Sequence, residues 1–304
     1  MLKAHQSPIL QEIKEPCLTK HGVTLYLKRE DLIHPTVSGN KWRKLKYNLI
    51  EATNGDHSKI LTFGGAYSNH IYATAAAAKE AGLASIGIIR GEETLPLNDT
   101  LQFAYDQGMQ LHYVSRSDYR LKEEDSFLNK LKDQFGECYL IPEGGSNTLA
   151  VKGCAEITED IDLSYDLICS AVGTGGTLAG LIASHDSSVS VLGFSALKGE
   201  HFLEQEVLRL LKGYSANPQW EIVTEYHFGG YAKIKLGLIE FINSFYQKHQ
   251  IVLDPIYTGK MMYGLYDLIR KGKIARGTSI VALHTGGLQG IKGIAERYGV
   301  SLPK

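Results

Sequence analysis

Short apolar runs rich in β-branched residues alternate along the chain with longer stretches that have helical spacing. The runs that predict strands are KILTF (59–63), ASIGIIR (84–90), QLHYV (110–114), ECYLI (137–141), YDLICSAV (165–172) and VSVLGF (189–194). Segments such as the alanine-rich IYATAAAAKEAG (71–82) lie between them and are typical of a helix. Strands that alternate with helices predict an α/β fold with mainly parallel sheets.

Glycine-rich segments follow several of these strands. They are FGGAYSNH (63–70), IPEGGSN (141–147), VGTGGTLAG (172–180) and, after the apolar run SIVAL, HTGGLQGI (284–291). Ligands in open α/β sheets bind at the carboxyl ends of the strands. The four segments are therefore predicted to form the walls of a binding site.

The segment VGTGGTLAG lies between an apolar strand and a helix of small residues. That context would direct backbone N–H groups and a helix N-terminus at one point, which suits a phosphate. The segment is not a P-loop, because it lacks the GK[ST] lysine, and it does not have GxGxxG spacing. A tight turn with close helix packing is the alternative, but the context favours anion binding.

The stretch SGNKWRKLK (38–46) combines a Ser-Gly-Asn turn with four cations, Lys41, Arg43, Lys44 and Lys46. One interpretation is a helix on which Trp42, Leu45 and Leu49 face the core while the four cations form the solvated face. The other interpretation concerns Lys41, because the start of a helix and neighbouring cations both favour a neutral amine. A lysine in that state is a nucleophile.

Polar residues after the glycine pair of FGGAYSNH have ordinary explanations. Ser68 or Asn69 is predicted to cap the following helix, and His70 is more typical of a histidine with local partners than of a catalyst. The chain has no GxSxG motif, so a hydrolase triad around Ser68 is unsupported. Tyr231 and Tyr257 stand out only by context, since the chain has 17 tyrosines.

Composition excludes several classes of function. The chain has 304 residues and a formal net charge of -1, so it has no general positive field for nucleic acid or an anionic membrane. The N-terminal residues lack the apolar core of a signal peptide, and no long uninterrupted apolar stretch predicts a membrane span. We expect a cytoplasmic protein. Its four cysteines have no metal-ligand spacing and are expected to be free thiols, mostly in the core.

The sequence combines three features. They are one lysine after a turn, one phosphate-binding turn without a metal-ligand set, and polar loops at strand ends. A pyridoxal 5'-phosphate (PLP) enzyme needs these features, because a lysine binds the cofactor aldehyde while loop amides hold the phosphate. A protein that only carries or senses PLP or an amino acid is the alternative from another class. Such a protein would not need Lys41 together with the two tyrosines.

The motifs LYLKREDLIHPTVSGNKWRKLKY, GGAYSNH, VGTGGTLAG, LDPIYTGK and HTGG occur in an order and spacing that the chain shares with a known family. From about residue 8 to residue 295 the chain resembles the 1-aminocyclopropane-1-carboxylate deaminase/D-cysteine desulfhydrase family of fold-type-II, tryptophan-synthase-β-like PLP enzymes. The resemblance implies two open twisted-sheet α/β domains with PLP in the cleft between them. Residues 46–157 would form a small inserted domain, residues 1–45 and 158–304 the large one, and the protein would be a homodimer.

The resemblance also implies how the cofactor is held. Lys41 would bind PLP covalently, while Arg43, Lys44 and Lys46 would remain the surface and phosphate-side charge of its helix. Asn69 would donate to or accept from the ring hydroxyl. The phosphate would be bound by Gly173, Thr174, Gly175, Gly176 and Thr177.

Residues on the substrate side follow from the same resemblance. Ser68 would meet the carboxylate of a small amino-acid substrate or act as a nucleophile near it, and Tyr231 and Tyr257 would position the substrate or relay protons. Tyr67, Asn69 and His70 are further candidates for substrate contact. The family usually has Gln in place of Tyr67, and it usually has Gly-Tyr-Gly-x-Pro where this chain has GGYAKI around Tyr231.

Two threonines bear on the choice of substrate. By the resemblance, Thr258 falls where the family contacts the pyridine nitrogen, and Thr285 falls near the substrate. Cyclopropane-deaminating members are expected to have Glu at the first position and Leu at the second. A hydroxyl supports a weaker electron sink than a carboxylate does, which suits β-elimination of a good leaving group. The resemblance therefore predicts a D-cysteine desulfhydrase, with 1-aminocyclopropane-1-carboxylate deaminase or a lyase of another small amino acid as the alternative.

Overall fold

The structure is a computed structural model that describes residues 2–199, 201–215 and 218–303. Within these residues, ten strands form two sheets. The strands are β1 Leu10–Ile13, β2 Thr24–Lys28, β3 Lys59–Gly65, β4 Ala84–Arg90, β5 Met109–Val114, β6 Tyr139–Ile141, β7 Leu167–Val172, β8 Ser190–Ser195, β9 Trp220–Val223 and β10 Ser279–Leu283.

Twelve α-helices lie around these sheets in the described part of the chain. They are α1 Pro16–His21, α2 Asn40–Asn54, α3 Asn69–Ala81, α4 Asp99–Asp106, α5 Arg116–Tyr119, α6 Asp125–Phe135, α7 Thr148–Ala155, α8 Gly176–Ala183, α9 His201–Leu210, α10 Leu236–His249, α11 Thr258–Arg270 and α12 Gly290–Tyr298. None of the described helices is both long and apolar enough to span a bilayer.

The larger sheet has the order β1-β2-β10-β7-β8-β9, and the smaller sheet has the order β5-β4-β3-β6. The pairs are parallel except for β1 with β2. All four strands of the smaller sheet lie between β2 and β7 in the chain. The predicted α/β class with mainly parallel sheets is confirmed, and each of the six runs predicted to be strands contains one.

Both faces of the larger sheet are covered by apolar side chains. On β10, Ile280 and Ala282 belong to the cluster packed against α10 and α11, while Val281 and Leu283 belong to the cluster on the opposite side with α8 and α9. Alternate residues of a strand point to opposite faces, so a sheet buried on both sides needs a continuous apolar run. The run SIVAL has that composition.

Helix α2 follows the predicted core pattern but not the predicted charge pattern. Trp42, Leu45 and Leu49 are buried, as expected. Arg43 and Lys44 are buried as well, so the interpretation of the cations as a solvated face is wrong for these two residues. Arg43 donates from Nε and Nη2 to the two carboxylate oxygens of the buried Glu30, at 2.9 and 3.0 Å. A buried guanidinium is stable there because its charge is paired in a bidentate contact.

Glycines bring α2, α7 and α8 into close contact. A Cβ on Gly153 of α7 would lie 2.0 Å from the carbonyl oxygen of Arg43, and a Cβ on Gly180 of α8 would lie 2.3 Å from Cβ of Cys154. Only glycine allows such approaches between helix backbones. The packing holds the first turns of α2 beside the segment that precedes α8.

Of the four free cysteines, Cys154 and Cys169 are buried while Cys17 and Cys138 are partly exposed.

Candidate active site

A contact between two loops positions Lys41. Gly39 has φ +64°, and a Cβ there would lie 1.9 Å from the carbonyl oxygen of Thr285, in the HTGG loop after β10. The backbone N–H of Asn40 donates to the same oxygen, at 3.4 Å. Helix α2 begins at Asn40, so Lys41 lies in its first turn, at the carboxyl end of the larger sheet.

The amine of Lys41 lies beside the glycine-rich turn. Its Nζ donates to Oδ1 of Asn40 at 2.9 Å, and Nδ2 of Asn40 donates to Oγ1 of Thr177 at 2.8 Å. Burial is the main cause that lowers the pKa of Lys41 to about 7, and the charge of Lys44 contributes to the same shift. A lysine with that pKa is in large part a neutral amine at neutral pH, which is the form that attacks an aldehyde.

Lys44 lies one helical turn further along α2 and has a different set of partners. Its Nζ donates to the carbonyl oxygen of Gly144 at 3.1 Å, to Oγ of Ser146 at 2.9 Å and to Oγ1 of Thr174 at 3.3 Å. A Cβ on Gly176 would lie 3.0 Å from this Nζ. The partners that the described residues provide are neutral oxygens, and burial lowers the pKa of Lys44 to about 8. A buried cation with neutral partners is a site for an anion.

The glycine-rich turn presents a helix N-terminus to the same point. Gly175 has φ +77°, and α8 begins at Gly176. The first N–H groups of a helix have no partner within the helix, so they can bind an anion. A Cβ on Gly173 would lie 3.0 Å from Cε1 of Tyr257, so this glycine lets a tyrosine ring approach the turn. The segment predicted to bind phosphate thus lies between Lys44 and Tyr257.

Tyr231 and Tyr257 are neighbours in the structure, although 26 positions separate them in the chain. Their ring centroids are 6.1 Å apart with an interplanar angle of 63°. Burial raises the pKa of Tyr257 well above its usual value, and the nearby Tyr231 raises it further. The pKa of Tyr231 is also raised by burial. Both phenols are therefore protonated at neutral pH and can donate a proton or a hydrogen bond.

Asp254 fixes the backbone that leads from Tyr257 into α11. Its carboxylate accepts from the backbone N–H groups of Ile256, Tyr257 and Thr258, each at 2.8 Å. Thr258, the first residue of α11, is fully buried. Its Oγ1 lies 3.4 Å from Oγ1 of Thr285. The two threonines singled out from the resemblance are therefore neighbours, one at the start of α11 and one in the HTGG loop.

The GGAYSNH loop of the smaller sheet meets the HTGG loop of the larger sheet. Oγ of Ser68 accepts from the backbone N–H groups of His70 and Ile71, so Ser68 caps α3 as predicted. Oδ1 of Asn69 accepts from Nε2 of Gln289 at 2.6 Å. A Cβ on Gly287 would lie 2.3 Å from Nδ2 of Asn69. These contacts place Asn69 at the junction of the two sheets.

His70 and Tyr67, both predicted to contact the substrate, have different surroundings in the structure. His70 is buried with Nε2 2.7 Å from Oγ1 of Thr62 and Nδ1 3.4 Å from Oγ1 of Thr74. Burial, together with the charges of Lys41 and Lys44, lowers its pKa well below the usual value, so the ring is neutral. His70 therefore supports the loop from beneath. The ring of Tyr67 lies against Gly293 of α12, and the residue is 50% exposed, so its contact with a substrate stays a prediction.

Sequence reasoning missed Asn40 and Ser146, and it gave Lys44 only as one of three phosphate-side or surface cations. Asn40 joins Lys41 to α8, while Lys44 and Ser146 join α2 to the EGGSN turn. The spacing of Lys41 and Lys44 was a usable signal, because residues three apart on a helix lie on one face. The residues that converge offer an amine nucleophile, an anion site, two phenols and two neutral hydroxyls.

Comparisons with known proteins agree with this arrangement. Residues 6–286 match the family model described as pyridoxal-phosphate dependent enzyme. The chain is 34% identical over 286 residues to a Pyrococcus abyssi protein whose provisional name is 1-aminocyclopropane-1-carboxylate deaminase, covering 89% of this chain and 86% of that one. It is 32% identical to the bifunctional D-cysteine desulfhydrase/1-aminocyclopropane-1-carboxylate deaminase, mitochondrial, of Arabidopsis thaliana, covering 89% and 74%.

A solved structure matches nearly the whole fold. It is described as an ACC deaminase homologue, and it superposes with a TM-score of 0.85 at 29% sequence identity. The superposition covers 98% of this chain and 94% of the other. The similarity therefore extends over nearly the whole chain.

Proposed function

The chain belongs to the pyridoxal-phosphate dependent enzymes and, among them, to the group of 1-aminocyclopropane-1-carboxylate deaminases and D-cysteine desulfhydrases, and from that premise we propose a D-cysteine desulfhydrase. The reaction is D-cysteine + water → pyruvate + ammonia + hydrogen sulfide. The observation that carries the choice of substrate is the buried pair of neutral hydroxyls of Thr258 and Thr285.

The residues of the site fit PLP. A Cβ at Gly176 would lie 2.7 Å from Oγ of Ser146 and 3.0 Å from Nζ of Lys44. The space at this point of the turn is therefore open only because residue 176 has no side chain. In this assignment the N–H groups of Gly173 to Thr177 and the ammonium of Lys44 hold the phosphate. Lys41 is the residue that binds the aldehyde, and Asn69 contacts the ring hydroxyl. When bound, PLP supplies a carbonyl for the substrate amine and an electron sink for charge at the α-carbon.

Lys41 has two tasks in this proposal. Its neutral amine holds the cofactor before substrate arrives, and once released it takes the proton from the α-carbon of the substrate. Asn40 accepts from the released amine and keeps it within reach of the glycine-rich turn. Ser68 contacts the substrate carboxylate beside its capping position, although its Oγ already accepts two backbone N–H groups.

The two phenols serve the leaving group. Phenols are protonated at neutral pH, and the raised pKa values of Tyr231 and Tyr257 keep them so. Either hydroxyl can give a proton to the sulfur as its bond to the β-carbon breaks. Thr258 gives the ring nitrogen a neutral partner and does not hold a proton there. That environment suffices when a thiol leaves, whereas opening a cyclopropane ring demands a stronger electron sink.

The test is a product assay with two substrates. We expect sulfide and pyruvate from D-cysteine in excess over 2-oxobutanoate from 1-aminocyclopropane-1-carboxylate, and loss of all products in Lys41→Ala. Lys46→Ala is the matched control, since Lys46 belongs to the same helix but pairs with Glu156 at the periphery. A larger yield of 2-oxobutanoate would contradict the proposal and favour the deaminase.

A paired set of variants tests the role of the two threonines. The double variant Thr258→Glu with Thr285→Leu introduces the two residues expected in the cyclopropane-deaminating members of the family. The ratio of 2-oxobutanoate to sulfide should therefore rise. Thr258→Ser with Thr285→Ser keeps both hydroxyls and should keep the wild-type ratio. Equal ratios in the two double variants would mean that residues 258 and 285 do not determine the choice of substrate.

A further inference from the structure

We propose that Lys260 is a positioning residue that holds the loop of Tyr231 against Tyr257. The inference rests on the proposed function, in which these two phenols serve the leaving group. Lys260 lies on α11, three residues after Tyr257, and only 1% of its surface is exposed. The hydrogen bonds of its Nζ within the described residues go to the loop of Tyr231 and not to the glycine-rich turn, so its task differs from those of Lys41 and Lys44.

The loop between β9 and α10 contains two consecutive turns. The N–H of Gly230 donates to the carbonyl oxygen of His227 at 3.0 Å, and the N–H of Lys233 donates to the carbonyl oxygen of Gly230 at 3.1 Å. Tyr231 is the residue that follows Gly230, so it lies in the second turn. The two turn-closing carbonyls therefore flank the start of the segment that presents the phenol.

Lys260 binds those same two carbonyls. Its Nζ donates to the carbonyl oxygen of His227 and to that of Gly230, each at 2.9 Å. Hydrogen bonds from a charged donor are roughly twice as strong as those between neutral groups. One side chain of α11 thus ties both turns to the helix that begins directly after Tyr257.

The loop needs such support because its backbone is unusual. Phe228 and Ala232 have φ +56° and +53°, although neither is glycine, and Gly229 and Gly230 have φ +104° and +117°. A residue with a Cβ in the left-handed region costs about 1–2 kcal/mol. Ala232 stands where the family usually has glycine after its tyrosine, so this chain adopts the turn at a higher cost. External contacts must offset that cost.

The position of Lys260 is unfavourable for the helix itself. A cation in the first turn of a helix is destabilised by the helix dipole, and burial lowers the pKa of Lys260 to about 8 while Asp254 opposes that shift. Both partners that the described residues provide are carbonyl oxygens of the loop. The benefit of this buried ammonium therefore lies in the loop.

Other residues of α11 contact the loop from the same side. The rings of Phe228 and Tyr263 are 5.0 Å apart at 82°, and Tyr226 donates from its hydroxyl to Asp267 at 2.7 Å. Residues 260, 263 and 267 follow helical spacing and face one direction. These contacts hold the base of the loop, whereas Lys260 holds the two turns beside Tyr231.

Hydrogen exchange of the holoenzyme tests the anchor independently of substrate. In Lys260→Met we expect exchange at the amides of residues 228–233 to be at least about tenfold faster, with the visible absorbance of bound PLP unchanged. Lys260→Gln retains an amide donor and should show a smaller increase, and it also serves if the Met variant does not fold. Lys273→Met, in the exposed turn after α11, is the control and should leave the loop amides unchanged.

A double-mutant cycle tests the effect on turnover. Lys260→Met and Tyr231→Phe should each lower kcat on D-cysteine, by about tenfold or more, because each removes a correctly placed phenol. If Lys260 acts through Tyr231, the double variant should be no slower than Tyr231→Phe alone. Multiplied effects, or wild-type exchange at residues 228–233 in Lys260→Met, would overturn the inference. If the wild type forms no sulfide from D-cysteine, the proposed function fails, and the exchange experiment still decides on the anchor.

Discussion

Lys41 and Lys44 are one helical turn apart, yet their surroundings give them different chemistry. Lys41 contacts a single amide oxygen and has a pKa of about 7, whereas Lys44 contacts three oxygens around the glycine-rich turn and has a pKa of about 8. Burial is the main cause in both cases. The amine of Lys41 has one hydrogen bond and is the freer of the two to attack an aldehyde, whereas the three partners of Lys44 make it the better anion ligand.

The pKa of Lys41 predicts how the apoenzyme takes up its cofactor. Only the neutral amine attacks an aldehyde, so the rate of covalent attachment of PLP should rise about tenfold per pH unit below pH 7 and level off above it. Stopped-flow absorbance can follow the reaction. A free lysine derivative, with an ordinary pKa, should continue to accelerate far above pH 8. The same late plateau in the protein would contradict the assignment of a lowered pKa to Lys41.

At the scale of elements, the site depends on the close packing of α2, α7 and α8. Gly153→Ala places a Cβ within 2.0 Å of the carbonyl oxygen of Arg43, so we expect a loss of about 1–3 kcal/mol in the free energy of unfolding. The loss should appear as a lower urea midpoint together with weaker PLP binding, because α2 carries both lysines of the site.

Gly237→Ala is the matched control for this prediction. Gly237 lies in α10, is exposed, and would place its Cβ 3.9 Å from the nearest atom, the hydroxyl oxygen of Tyr263. Alanine is favoured over glycine in an open helix by about 0.5–1 kcal/mol, so this variant should be more stable than the wild type. Equal effects of the two substitutions would mean that helix propensity, and not the contact with α2, governs Gly153.

The strand and turn pattern could be predicted from sequence because buried strands leave long apolar runs. Strands β2 and β9 did not stand out, since TLYLK and WEIV mix charged and apolar residues, and β1 is a short antiparallel edge strand. The burial of Arg43 and Lys44 could not be predicted either. It depends on Glu30 and on the EGGSN turn, which are distant in the chain and reach α2 only through the fold.

The candidate site shows the same division. Local motifs identified Lys41 and the glycine-rich turn, and the resemblance to a family supplied the two threonines. Asn40, Ser146 and Lys260 were missed, because each acts through partners that the fold, and not the sequence neighbourhood, brings near. The domain boundaries, the individual roles of the site residues and the homodimer stay predictions.

At the scale of the whole molecule, one carboxylate joins the N-terminal segment to the helices behind the larger sheet. Glu15, just before α1, accepts from Nζ of Lys248 at 2.7 Å, from Nε2 of His249 at 2.9 Å and from the hydroxyl of Tyr266 at 2.7 Å. Burial raises its pKa, but these three hydrogen bonds outweigh burial, and the pKa is lowered from 4.5. The carboxylate form is therefore the one that stabilises the fold.

The sign of this shift gives a prediction about acid stability. The contribution of Glu15 is fully present above pH 4.5 and is lost as the pH falls through its lowered pKa. Glu15→Gln should lower the free energy of unfolding by about 1.5–3 kcal/mol at pH 7 and weaken its dependence on pH below 4.5, as urea titrations can measure. Glu137→Gln is the control and should have little effect, because the carboxylate of Glu137 is exposed and pairs with an exposed lysine.

The central claim is that Lys41 is the residue to which PLP is attached. Reduction of the holoenzyme with borohydride, followed by proteolysis and mass spectrometry, locates the phosphopyridoxyl group on one lysine. We expect the label on Lys41, with Lys44 unmodified because its Nζ is held by Gly144, Ser146 and Thr174. A label on Lys44, or labels shared between the two lysines, would contradict the assignment of nucleophile and anion ligand on which the proposed function rests.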